Sequence, residues 1–110
     1  WSREGGIAGF CDNLTLYLSG EVQAMSCKSV DVVEKRLNEV ASPAEITTLD
    51  RWVTKYAVVE MDASDPKGAA DAMTIKLKLF GTGTEQTVPP EVQQIMMQFA
   101  QGLYQQMMSQ

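Results

Sequence analysis

The sequence predicts a single α+β domain over residues 1–110: an antiparallel sheet of about four strands with two main helices packed on one face. Three observations predict it. Leu14, Leu16 and Leu18 alternate with Thr15 and Tyr17, and Met73, Ile75, Leu77 and Leu79 alternate with Thr74, Lys76 and Lys78, the period of strands with one face buried. Two proline-led segments carry apolar residues at helical spacing. The 110 residues, just under half of them apolar, are enough to bury one core.

The elements follow in chain order. Gly5, Gly6 and Gly9 interrupt regular pairing and predict a bulge or tight turn between an edge segment and the first hairpin strand. Residues 10–18 and 21–29 form that hairpin. A two-residue Ser19-Gly20 loop would set Leu16 opposite Gln23 and mix the two faces. A three-residue loop with Gly20 in the left-handed region instead sets Leu16 against Val22 and Leu14 against Ala24, so the leucines share a face. Residues 32–38 continue as a further strand of less regular period.

Ser42-Pro43-Ala44-Glu45 reads as a helix start, with Ser42 as cap, Pro43 in the first turn and Glu45 completing a capping box. Ile46, Leu49, Trp52, Val53 and Tyr56 make one stripe of a helix over 43–57, while Asp50, Arg51, Thr54 and Lys55 face away. Residues 60–71 are acidic and turn-rich and read as an exposed loop. The alternating strand at Met73–Phe80 ends at Gly81 and Gly83. Pro89-Pro90-Glu91 opens the last helix, which runs toward Met108.

That last helix has an expected core stripe of Val92, Met96, Phe99, Leu103 and Met107. Beside it lies a second set, Met97, Ala100, Tyr104 and Met108, and the polar remainder is mostly glutamine. Either the wide apolar arc is buried on the sheet, or the second set meets a partner such as another copy, giving a homodimer.

The two cysteines define the best-resolved substructure. The three-residue turn places Cys11 opposite Cys27, on the face away from the leucines, and thiols so close can bond. A loop of this size would stabilise the fold by about 3 kcal/mol. A zinc site wants four ligands, and the chain has two Cys and no His. The spacing is not that of a C-x-x-C redox pair, and a nucleophilic Cys would lack a histidine base. A structural disulfide predicts an oxidising, extracytoplasmic setting, secreted or cell-surface. With the start at Trp1 rather than methionine, it also predicts that a signal segment, with or without a lipid anchor, was removed upstream.

Composition narrows the function classes. A net charge of −5 argues against a nucleic-acid footprint and against docking on anionic lipid. The absence of histidine removes Ser-His-Asp and Cys-His machinery, and no pair of the 14 acidic residues sits in a spacing that would make an acid and a base. The expectation is a non-enzyme with no cofactor and no metal. Phe80-Gly-Thr-Gly-Thr84 lacks the third glycine of a dinucleotide fingerprint and the Gly-Lys-Ser/Thr of a P-loop, and reads as a turn. Glu60, Asp62, Asp65 and Asp71 could offer oxygens to calcium, but without EF-hand spacing they read as a solvated loop.

Gly5-Gly6-Ile7-Ala8-Gly9-Phe10 is the most distinctive exposed candidate, as a backbone turn, as a loop presenting Ile7 and Phe10 to a partner, or as both. At this stretch the chain resembles the emfourin family, small bacterial inhibitors of thermolysin-like metalloproteases, whose pattern is Gly-Gly-(aromatic or aliphatic)-Ala-Gly ahead of a strand. The proline-led helix at Ser42-Pro43, the strand at Met73–Phe80 and the proline-led last helix echo the same order. The phrase Ala8-Gly9-Phe10-Cys11-Asp12 with a second cysteine is similar to bacterial lipoprotein domains. Departures are Glu4 where the family has serine, Ile7 where it has an aromatic residue, and the added cysteines, acidic loop and glutamine-rich helix. The resemblance implies helices on an antiparallel sheet and a protein partner, a secreted metalloprotease, met by Gly5 to Gly9 as a rigid loop. The alternative is a non-catalytic interaction domain of a surface lipoprotein, self-associating through the last helix, with membrane contact only through an upstream anchor.

Overall fold

The computed structural model describes residues 1–5, 10–29, 32–63 and 73–109, with the backbone alone for 10, 27–29 and 32–38. Six strands and two helices follow in the order β1 Ser2–Gly5, β2 Phe10–Leu16, β3 Glu21–Ser29, β4 Val32–Val40, α1 Pro43–Lys55, β5 Val58–Asp62, β6 Met73–Phe80 and α2 Pro90–Met108. The strands form one antiparallel sheet in the order β4-β3-β2-β1-β6-β5. The α+β class with two helices stands, and the sheet has six strands rather than about four.

The two additional strands were hidden for different reasons. Strand β5 has buried Val59 and Met61 but carries Glu60 and Asp62 on its other face, so its acidic residues read as loop. Strand β1 (Ser-Arg-Glu-Gly) contains no apolar side chain. It is no edge segment: it pairs with β2 on one side, Ser2 opposite Asn13, and with β6 on the other, Ser2 opposite Lys76. Backbone hydrogen bonding to two neighbours holds it. Trp1 extends the pairing, exchanging backbone hydrogen bonds of 2.9 and 2.8 Å with Leu14.

The first hairpin has the expected register, with Leu14 opposite Ala24 and Leu16 opposite Val22. Tyr17 N donates to Glu21 O at 2.9 Å, closing a three-residue loop in which Gly20 has φ of 96°. That left-handed backbone favours glycine, and a Cβ there would also lie 3.0 Å from Ile46 of α1.

Helix α1 starts as its sequence dictates. Glu45 N donates to Ser42 Oγ at 3.2 Å, and Ser42 N donates back to Glu45 Oε1 at 2.7 Å. Its buried face is Val53 and Tyr56, flanked by Ile46, Leu49 and Trp52, while Asp50, Arg51, Thr54 and Lys55 are exposed.

Both helices cover one face of the sheet. Leu14, Val22 and Ala24 pack with Ala100, Leu103, Tyr104 and Met107, and Val59, Met61 and Leu79 pack with Val53, Tyr56 and Met96. Leu77 touches both clusters. The opposite face is polar along one row, Asp62, Lys76, Ser2, Asn13, Met25, Arg36 by backbone register, while Val58 and Phe80 pair on it as exposed apolar residues. An antiparallel sheet tolerates one such open face.

Candidate functional site

The glycine segment enters the structure at its two ends. Gly5, with φ of 84°, pairs with Phe10 across β1 and β2 and with Met73 of β6. Gly6, Ile7, Ala8 and Gly9, and the side chain of Phe10, lie outside the described residues. Their connection joins two strands in the middle of the sheet. The antiparallel order sends the β1–β2, β3–β4 and β5–β6 connections off the same end of the sheet. Most of the acidic segment falls in the last of these, with Asp65 and Asp71 outside the described residues. Glu60 and Asp62 are on β5, and Glu60 lies 3.4 Å from Lys78 in an exposed pair. Among the described residues, no three His, Cys, Asp or Glu side chains converge as a metal site would require.

Beside that end, Cys11 is bonded as a disulfide, and no described cysteine is free. Cys27 is the chain's other cysteine. Its backbone pairs with Val33 beside a register shift in β3, and its side chain lies outside the described residues.

A polar cluster that sequence reasoning missed sits under the centre of the sheet. Asp12 is 6% exposed and shares the inward face with Leu14 and Leu16. Both Nε and Nη2 of Arg3 lie 2.8 Å from its Oδ2, and Tyr104 donates its hydroxyl to Oδ1 at 2.6 Å. Asp12 and Arg3 face each other by register, with Ser26 opposite Asp12 on the far side. Burial first, and then the hydrogen bond to Asp12, push the Tyr104 phenol up to about 12, against opposing contributions from Ser26 and Arg3. The phenol therefore stays protonated and donating at neutral pH. Trp1 completes the cluster: its ring centroid lies 5.2 Å from that of Tyr104, and the Arg3 guanidinium stands 5.6 Å from its centre. The one signal available in the sequence was parity: Asp12 is a charged residue two positions before a buried leucine.

Of the two readings of the second stripe on the last helix, these contacts favour burial on the sheet. Ala100 and Tyr104 are each 5% exposed, and Met108 and Met97 pack against the two core clusters. Ala100 and Tyr104 thus face the chain's own sheet, with Met97 and Met108 partly buried beside them. The sheet is wide enough to bury both stripes.

The Phe80–Thr84 segment serves α1. Thr82 N donates to Val53 O at 2.8 Å, Gly83 N to Tyr56 O at 2.8 Å, and Glu85 N to Lys55 O at 3.2 Å. These amides satisfy carbonyls that a helix end leaves without intrahelical donors. They are engaged with protein and do not form a phosphate cradle. A Cβ on Gly81 would lie 1.9 Å from Tyr56 O, and one on Gly83 would lie 2.3 Å from Lys55 O. Glycine is required because backbone crosses backbone.

A hollow of about 550 Å³ opens on the uncovered sheet face, among Ser2, Asn13, Thr15, Lys76 and Lys78. It lies where β2 and β6 run on past the start of β1. Its walls are a polar mixture of both charges. No helix among the described residues is long and apolar enough to cross a membrane.

Comparison with known proteins found no matching family model, no matching curated protein and no matching solved structure.

Proposed function

We propose that the chain is an extracytoplasmic, non-catalytic protein-binding module that presents residues 5–10 to a partner, with a secreted metalloprotease as the partner its resemblance implies. One observation supports it best. Gly5 and Phe10 close the hairpin of β1 and β2, two strands in the interior of a six-stranded sheet. Binding loops set on a rigid scaffold lose little order on association. Among the described residues, the buried carboxylate of Asp12 is committed to structure, holding Arg3 and Tyr104.

The bridge Cys11–Cys27 belongs to the same reading. Extending the Asp12–Ser26 register by one position would set Cys11 opposite Cys27, and Cys11 is disulfide-bonded. Such a bond would clamp β2 to β3 beside the proposed binding end and suits a secreted protein. Labelling of free thiols in denaturant without reductant is expected to find none. Two reactive thiols would remove both the bridge and the compartment inferred from it.

The partner is tested by titrating the chain against a thermolysin-like protease. Inhibition below about micromolar concentration is expected, weakened at least about tenfold by Ile7→Asp, a loss of about 1.4 kcal/mol or more. No inhibition, or inhibition indifferent to Ile7, would exclude this partner.

A further inference from the structure

We infer that the outward face of α2 is a self-association surface, on which two copies cross antiparallel at Gly102. This surface is distinct from the second apolar stripe, which is buried. It does not depend on the protease-binding reading.

Glu91, Ile95, Gln98, Gly102, Gln105 and Ser109 follow one another at spacings of three and four along α2, and all are exposed. They form one straight stripe on the side away from the sheet. Two features set the stripe apart. From Val92 to Gln110 the chain carries no charged side chain, whereas the molecule as a whole carries −5. Ordinary exposed helix faces carry Lys and Glu. The second feature is Gly102, in the interior of a 19-residue helix. A Cβ there would meet nothing within 4 Å among the described residues, so no described contact requires the glycine, which weakens the helix relative to alanine.

The chemistry of the stripe selects its partner. Acidic copies repel one another over most of their surface, but not along a stripe whose one charge, Glu91, stands at its far end. Glutamine amides both donate and accept, so a row of them satisfies an identical row across a two-fold axis. A stripe of one charge sign would instead demand a different partner. Ile95, 54% exposed, supplies an apolar contact beside the amides. Gly102 at the crossing lets the two backbones approach closely. The arrangement is antiparallel because of Glu91, which stands about 16 Å along the helix from Gly102. Antiparallel copies hold their two Glu91 carboxylates beyond the screening distance, while parallel copies place them side by side.

The test is sedimentation equilibrium from about 10 μM to about 1 mM, since a single helix pair is a small interface and is expected to be weak. The mass should double across that range. Gly102→Lys, which sets two like charges together at the crossing, should weaken association at least about tenfold. Gly102→Ala should also weaken it, while the thermal midpoint of the monomer rises by about 4 °C through helix propensity. Glu91→Gln should leave association within about twofold. A chain that stays monomeric at the highest concentration, or a dimer indifferent to Gly102→Lys, overturns the surface. Strengthening of about tenfold or more by Glu91→Gln overturns the antiparallel arrangement.

Discussion

The hydroxyl of Tyr104 donates to Oδ1 of Asp12 at 2.6 Å, joining the last helix to the second strand across 92 positions of sequence. The other carboxylate oxygen is held by Arg3 of the first strand. Three elements therefore meet at one buried carboxylate, and its partners can be removed one at a time.

Tyr104→Phe keeps the ring against Trp1 and deletes only the donor. A hydrogen bond to a buried charge contributes about 1.5–3 kcal/mol, and unfolding in urea is expected to show a loss of that size. The helix content should be unchanged by circular dichroism.

The same residue sets an alkaline limit. Its phenol is raised from 10.0 to about 12 in the folded chain, by burial first and Asp12 second. A group whose pKa is higher when folded contributes stability that is whole below the unfolded value and is lost as pH rises through the folded one. Stability of the native chain should therefore fall between about pH 10 and 12 more steeply than that of Tyr104→Phe. Parallel pH profiles for the two would show that the bond does not form.

Asp12→Ala removes the carboxylate that holds both the Arg3 guanidinium and the Tyr104 hydroxyl. Removing one partner of a buried ion pair costs about 3–5 kcal/mol, a large part of the stability of a domain this size. The expected outcome is a lowered urea midpoint and loss of dispersed methyl resonances in NMR spectra.

Gly81→Ala and Gly83→Ala should each destabilise by about 3 kcal/mol or more, because the added methyl meets backbone that cannot move aside as a side chain would. Hydrogen exchange should show the loss first at the end of α1. A substitution here that left stability untouched would mean the segment does not lie across the helix end.

Ser42→Ala removes one half of the capping box and should cost about 1 kcal/mol. Glu45→Gln, which keeps an acceptor for Ser42 N, should cost less.

The sequence disclosed elements whose side chains obey one period. The hairpin register, the left-handed Gly20, the capping box and the exposed side of α1 all follow from local spacing, and the structure has them. What escaped depends on long-range pairing. Strand β1 has no apolar residue to announce it, and its two partners are read only from the assembled sheet. Strand β5 was masked by its outward carboxylates. The fate of the second stripe on α2 turned on sheet width, which spacing along a helix does not encode. The Arg3–Asp12–Tyr104 cluster needed three remote segments to converge. Residues 6–9, on which the binding reading rests, were singled out by composition, and their conformation is outside the described residues.

The position of β1 has a consequence for how the chain assembles and survives. The three strands β2, β3 and β4 form one meander and β5 with β6 form a hairpin, and in the sheet only residues 2–5 stand between them. Clipping that short segment would leave two ribbons whose facing edges are about 10 Å apart, too far for direct hydrogen bonds. Losing residues 2–5 would therefore open the sheet along its midline and leave α2, which packs on both clusters, as the tie between the halves.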